Sequence, residues 1–130
     1  DFETEVKRIT DGKGVNVAYD SVGKTTFDKS IDCLQRLGYA VLYGNASGPV
    51  TEFNPATLGP KGSLFLTRPT LFDYVADRES LEWRSGDVFK WIAEGNLKLR
   101  VEHFFPLSDV QDAHRALEGR KTTGKVILTP

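Results

Sequence analysis

The chain has 130 residues, 39% hydrophobic and 27% charged, a composition that suits one soluble globular unit with a buried core. Its 17 basic and 18 acidic residues are mixed along the sequence and sum to a net charge of −1, so charge gives no case for a nucleic-acid or membrane partner. A single cysteine, Cys33, excludes an internal disulfide and a thiolate metal cluster, and no run approaches the roughly 18 apolar residues of a membrane span.

Cys33 sits in an apolar stretch and reads as buried filler rather than as a nucleophile. With no signal-peptide pattern at the start, these absences point to a reducing, cytoplasmic setting. Methionine is absent altogether, and the chain opens on Asp1-Phe2-Glu3 as if in mid-domain. A fragment of a longer protein is therefore expected.

Phe2, Val6 and Ile9 fall at i, i+4 and i+7 between charged residues, the pattern of an amphipathic helix, and Asp11 to Gly14 breaks it. Val15 to Tyr19 is a short apolar run, followed by the loop Asp20-Ser21-Val22-Gly23. Thr25 or Thr26 is placed to cap a helix whose face is Phe27, Ile31, Leu34 and Leu37, with Gly38 at its C′ position. A second apolar run, Tyr39 to Tyr43, ends in Gly44-Asn45-Ala46-Ser47-Gly48. Helix, strand, helix, strand with short connections predicts an α/β fold built from parallel βαβ units. Both strands read as apolar runs, as expected of a sheet covered on two faces. Ligands of such sheets bind at the carboxyl ends of the strands, which directs attention to the loops at residues 21–23 and 44–47.

Past Pro49 the texture changes to a loop-rich crossing with at most one helical turn. Ser63 to Thr67 reads as a strand that Arg68-Pro69 ends, and its Leu64-Phe65-Leu66 edge needs pairing or cover. Asp77 to Glu94 reads as a long helix with Leu81, Val88, Ile92 and Trp91 inward, closed by Gly95, and Leu97 to Phe105 as extended chain. Ser108 and Gln111 match a capping box, with Ser108 as cap. That helix places Val110, Ala113, His114 and Leu117 on one face and stops at Gly119, and Val126 to Leu128 is a last strand. His114 on that face reads as a packed, hydrogen-bonded histidine. Two histidines and one distant cysteine assemble no metal site.

Tyr19-Asp20-Ser21-Val22-Gly23, Leu34-Gln35-Arg36-Leu37-Gly38, Tyr43-Gly44-Asn45-Ala46-Ser47-Gly48 and Lys61 to Pro69, in this order, resemble the zinc-independent NADPH:quinone oxidoreductases (zeta-crystallin-like) of the medium-chain dehydrogenase/reductase superfamily. The resemblance runs over essentially the whole chain. It implies that residues 1–69 are the second half of a Rossmann-type, doubly wound parallel sheet that binds NADPH. Residues 70–130 would then be a C-terminal α+β segment returning to the catalytic (GroES-like) domain. The glycine-rich phosphate turn of that family would lie upstream, and no Gly-x-Gly-x-x-Gly occurs here. A homodimer paired through the Ser63–Thr67 strand and a small-molecule quinone substrate are also implied.

Ser21, just past a strand's carboxyl end, has a hydroxyl suited to a cofactor ribose or phosphate oxygen, or to its own backbone. Gly44 either lets a nicotinamide ribose approach the backbone or serves a turn with positive φ. The resemblance places cofactor contacts at Ser21 and along Tyr43, Gly44, Asn45 and Ala46. It adds Arg68, Pro69 and Thr70 at the nicotinamide carboxamide, although Arg68 is equally a solvated strand-end charge. Arg120 matches a cofactor-contacting arginine of the family and also reads as a surface charge. No side chain is expected to act as catalytic nucleophile or base. Two other functions stay open: a reductase of enoyl or acryloyl substrates sharing this cofactor half, and a non-catalytic nucleotide-binding module.

Overall fold

In the computed structural model, which describes residues 1–130, the amphipathic start of the chain forms helix α1 (Phe2–Ile9). Glu3–Lys7 and Glu5–Arg8 pairs lace its polar side. Thr10 closes it: its hydroxyl donates to the Val6 carbonyl at 2.7 Å and accepts the Gly14 N–H at 3.1 Å. Strand β1 (Val15–Asp20) follows, then helix α2 (Phe27–Asp32) and strand β2 (Leu34–Leu42). A single 3-10 turn, Pro55–Leu58, precedes the short strand β3 (Phe65–Thr67) and a one-turn helix α3 (Leu71–Tyr74). The three strands form one parallel sheet in the order β1-β2-β3, as the alternating elements predict.

The helix expected from Thr26 to Leu37 stops at Asp32. Leu34 already pairs with Val15 of β1, and regular pairing resumes at Val17 with Tyr39, leaving residues 35–38 as a bulge. The Leu37 N–H bonds the Gly62 carbonyl at 2.8 Å, and Leu37, not Gly38, takes the left-handed conformation at φ 62°. Leu34 thus reaches the core from a strand, while Leu37 is exposed. Thr26 stands at the N-cap position of α2, yet its hydroxyl makes no cap bond and turns instead to Asp20.

The pleat sorts the sheet's residues. Ala40, Leu64 and Leu34 pack with Phe27 and Ile31 of α2, joined by the partly buried Val15, Ala18, Leu42, Val50, Phe53, Leu58 and Leu66. Their neighbours Val17, Tyr19, Tyr39 and Phe65 are exposed on the opposite face, where the Tyr39 and Phe65 rings stack 4.6 Å apart. Within residues 1–130, α2 packs on one face of the sheet, and the other face presents Val17, Tyr19, Tyr39 and Phe65. The pleat also splits the Leu64-Phe65-Leu66 segment: Leu64 and Leu66 belong to the core and Phe65 alone is exposed.

The chain divides into two compact units, Asp1–Tyr74 and Val75–Pro130. In the second, helix α4 (Arg78–Ala93) matches the expected long helix; Asp77 caps it by accepting the Ser80 N–H at 2.7 Å, and Gly95 follows at φ 74°. None of its residues is buried, and Leu81, Val88 and Trp91, expected inward, are exposed because no element of this unit packs closely on them. Strand β4 (Val101–Pro106), helix α5 (Val110–Glu118) and strand β5 (Lys125–Thr129) make a parallel β-α-β unit. Residues 97–100, expected as extended, precede β4 without joining it.

The capping box does not form. Ser108 lies in a 3-10 turn, Leu107–Asp109, its hydroxyl bonds Asp109, and Gln111 accepts from Arg115 rather than reaching back. His114 is exposed beside Ala113, Leu117, Val126 and Leu128, with no hydrogen-bond partner in place of the packed role expected. No helix is long and apolar enough to cross a membrane.

Ile31 is 2% exposed within the first unit's core, so its truncation leaves a cavity between α2 and the sheet. Ile31→Ala is expected to lower unfolding free energy by about 2–5 kcal/mol. Ile9→Ala, at a position 62% exposed, should change it by less than about 0.5 kcal/mol. Urea unfolding of both variants checks this contrast.

Candidate functional site

Because β1 and β2 run parallel, their carboxyl ends open onto the same rim of the sheet. The last residue of β1, Asp20, is a carboxylate only 5% exposed with no cation beside it. Its Oδ1 accepts the N–H groups of Val22 at 2.8 Å and Gly23 at 2.9 Å, together with the Thr26 hydroxyl at 2.9 Å. Its Oδ2 accepts the hydroxyls of Thr26 and Ser30, each at 2.8 Å. Burial alone pushes this carboxyl up, but the donors from Gly23, Ser30, Thr26 and Val22 together hold it below the usual carboxylate range. The bonds fold residues 21–23 into a tight turn over the start of α2.

The next turn, after β2, docks onto the first. The Asp20 carbonyl accepts the N–H groups of Tyr43 at 2.9 Å and Gly44 at 3.2 Å, and the Ser21 carbonyl accepts that of Ala46 at 3.3 Å. Ser47 ties the pair: its N–H and its hydroxyl both donate to the Val22 carbonyl at 2.8 Å, and the hydroxyl accepts the Thr25 N–H at 3.1 Å. The Lys24 N–H reaches the Gly48 carbonyl at 3.1 Å. Two glycines make the approach possible. Gly23, at φ 87°, has the Gly48 carbonyl oxygen 2.7 Å from where a Cβ would stand. At Gly44 a Cβ would stand 2.7 Å from the Ser21 Cα. The space that Gly44 leaves open is therefore filled by the Ser21 main chain and not held free for a ligand. A bulky side chain at residue 44 would displace the neighbouring turn first.

The candidate residues divide over this rim. Tyr43, Pro69 and Thr70 line an open cleft of about 430 Å³ with Tyr19, Val41, Leu71 and Tyr74. Gly44, Asn45 and Arg68 line a second depression of about 260 Å³, on the side of Phe27, Pro49 and Phe53. The turn after β2 contributes to both, Tyr43 to the first and Gly44 and Asn45 to the second. Ser21 and Ala46 are exposed on the interlocked turns and line neither hollow. Arg68 donates to the Pro69 carbonyl at 3.1 Å. Arg120 belongs to the Val75–Pro130 unit, where it follows α5 at φ 54° and its N–H bonds the Leu117 carbonyl at 3.1 Å.

The sequence places Asp20 and Ser47 in the two loops without assigning them a role, although they hold the rim together, and it gives no role to Tyr19, Leu71 and Tyr74, which wall the cleft. An aspartate ending an apolar strand, a glycine three residues on, and hydroxyls at residues 26 and 30 were the available signal for the first. The wall of the cleft carried none, since α3 was not foreseen.

Comparison with known proteins matches residues 1–128 to the family model described as zinc-binding dehydrogenase. Quinone oxidoreductase 1 of Escherichia coli (strain K12) is 47% identical over 132 residues, covering 100% of this chain and 40% of that protein. The 2-haloacrylate reductase of a Burkholderia species is 42% identical over 131 residues, covering 100% of this chain and 39% of that protein. The crystal structure of the Escherichia coli quinone oxidoreductase complexed with NADPH superposes with a TM-score of 0.92 at 47% identity, again covering 100% of this chain and 40% of that one. The chain spans about 40% of the length of these relatives. The family description names zinc, and the residues of this chain do not fit it. No three His, Cys, Asp or Glu side chains stand together, and the buried Cys33 thiol is pushed up by its burial.

Asp20 links the rim to acid. A carboxyl whose folded pKa lies below its unfolded value favours the folded state above the unfolded value, about 3.9, and loses that contribution as pH falls through the depressed one. Asp20→Asn is expected to be less stable by about 1–3 kcal/mol at neutral pH, with the difference shrinking below about pH 4. Urea midpoints across pH 2.5–7 (an approximate working range) read this, and a difference that stays constant throughout would contradict it.

Proposed function

The chain belongs to the zinc-binding dehydrogenase family, and from that premise we propose that it forms the nicotinamide-facing wall of an oxidoreductase that passes a hydride from NADPH to a quinone or a similar conjugated carbonyl. The observation that carries the reading is the pair of interlocked turns at the carboxyl ends of two parallel strands, beside an apolar cleft walled by Tyr19, Tyr43 and Pro69. The likeness to an NADPH-complexed quinone oxidoreductase supports it.

The residues present fit a dinucleotide. The exposed side chains of Ser21, Asn45 and Thr70 take no part in the protein's own hydrogen bonds, so they are available to a ligand's polar atoms. The N–H groups of Val22 and Gly23 are already consumed by the Asp20 carboxylate, whose negative charge lies beneath the turn. That turn is no anion nest, and it suits an uncharged ribose better than a phosphate. Ser21 and the Gly44–Ala46 segment would hold the ribose; Tyr43, Pro69 and Thr70 would flank the nicotinamide; Arg68 would add a cofactor contact. The cofactor, when bound, supplies the hydride. The chain's own part is to fix which ring face meets the acceptor and to keep water from it.

On this reading residues 1–69 are the second half of the cofactor domain and residues 70–130 return to the catalytic domain; the two compact units of the chain divide later, between Tyr74 and Val75, with residues 70–74 in the first. A second acceptor class, activated acrylates, is favoured by the 42% identical haloacrylate reductase. A homodimer is proposed through β3, which ends the sheet with its outer edge unpaired.

In the full-length protein NADPH should be oxidised in the presence of a quinone, and Ser21→Ala should raise the NADPH KM by about three- to tenfold. Turnover with haloacrylates and none with quinones would move the assignment to the second class; turnover with neither would end it. Sedimentation of the same protein should give a dimer, and a strictly monomeric species would remove the β3 pairing.

A further inference from the structure

Asp20 lines neither hollow on the rim, and all of its side-chain bonds go to the protein itself. It nevertheless controls both turns that the cofactor reading uses. Its carboxylate gathers the N–H groups of Val22 and Gly23, while its main-chain carbonyl takes those of Tyr43 and Gly44. Ser30 and Thr26 anchor the same carboxylate to α2, so the turn is tied to the best-packed helix of the unit.

We propose that Asp20 is a positioning residue for dinucleotide binding: it holds the Ser21–Gly23 and Tyr43–Ser47 turns in one arrangement before the ligand arrives. The proposal rests on the reading of this rim as the cofactor wall. The physical basis is pre-organisation. A loop ordered only on binding subtracts its ordering cost from the affinity, whereas a loop ordered beforehand does not. A buried carboxylate suits the task because every donor around it is bonded to charge, and such bonds are stronger than neutral ones. Removing the charge while keeping the shape weakens the hold without opening a cavity. Asparagine at this position keeps one oxygen for the Val22 and Gly23 N–H groups but presents an amide to the Thr26 and Ser30 hydroxyls.

The test uses the full-length protein and its Asp20→Asn variant, with Ser30→Ala as a second variant that leaves both turns chemically intact. The NADPH KM should rise about tenfold in Asp20→Asn and about twofold in Ser30→Ala, while kcat at saturating NADPH and the quinone KM stay within about twofold. Amide exchange across residues 21–24 and 43–48 should quicken in both variants without cofactor, and saturating NADPH should restore protection. A variant that is merely less stable, with an unchanged NADPH KM and unchanged exchange in these turns, overturns the proposal. So does a loss of kcat equal to the loss in kcat/KM, which would put Asp20 in the chemistry. Failure of the cofactor reading is seen separately, as absence of NADPH binding by the unsubstituted protein.

Discussion

A carboxylate that ends a strand inside the protein, with no cation in reach, has to be satisfied by hydrogen-bond donors, and that requirement shapes the rim of this sheet. Asp20 meets it by drawing back the main chain two and three residues ahead and by accepting the hydroxyls of Thr26, at the N-cap of α2, and Ser30, within it. The tight return forces Gly23 to φ 87°, a conformation open to glycine at little cost. With no side chain at Gly23, the Gly48 carbonyl and the Asn45 main chain come close, and with none at Gly44 the second turn settles on Ser21. Each step follows from the one before. The result is a surface in which two loops behave as one piece of structure, tied by Ser47 to Thr25 and Val22, 22 and 25 positions away in sequence.

The cleft beside that surface is produced by the same pleat that makes the core. Alternate residues of β1, β2 and β3 point to opposite faces. Ala18, Ala40, Leu42, Leu64 and Leu66 meet Phe27 and Ile31, and small or branched groups there let α2 lie close to the sheet. Tyr19, Tyr39, Val41 and Phe65 point the other way, and Tyr19 and Val41 continue into the cleft wall with Tyr43. A register slip of one residue would exchange the aromatic face for the aliphatic one and abolish both core and cleft. The Val17–Tyr39 and Tyr39–Phe65 pairings therefore matter to the site as much as any side chain on its rim.

The parallel βαβ order, the two loops and the long helix after Asp77 were legible in the sequence because they depend on periodicity and turn chemistry, which are local. What was not legible depended on contacts between distant residues. Leu34 falls at the seventh position from Phe27, as a helical core residue would, but it enters the core from β2 because Gly62 and Val15 claim that backbone first. Gly44 was legible as a glycine required for close approach; that the approaching group is Ser21 could be seen only once both turns were placed. Ser108 and Gln111 have capping-box spacing, yet the 3-10 turn through Asp109 shifts the start of α5 and leaves them with other partners. Asp20 lay within a motif already singled out, and its neighbour Ser21 drew attention because a hydroxyl in a loop suggests a ligand, whereas a buried carboxylate reveals its purpose only through its donors.

The polar groups of the rim fall into two sets. One set faces inward and is fully bonded within the protein: the Asp20 carboxylate, the Ser47, Thr26 and Ser30 hydroxyls, and the N–H groups of Val22, Gly23, Tyr43 and Gly44. The other set, the side chains of Ser21, Asn45 and Thr70, faces outward and carries no internal bond. A side chain that offers a bond to a ligand is worth most when the main chain carrying it is ordered before the ligand arrives. Rigidity of the inward set is thus what gives the outward set its value. An exposed hydroxyl on a loose loop would bind a ribose no better than water does, since the gain of the bond would be cancelled by the cost of ordering the loop. The same hydroxyl on a turn already fixed from below adds its bond nearly whole, which is the physical ground of the proposal that Asp20 acts on binding without touching the ligand.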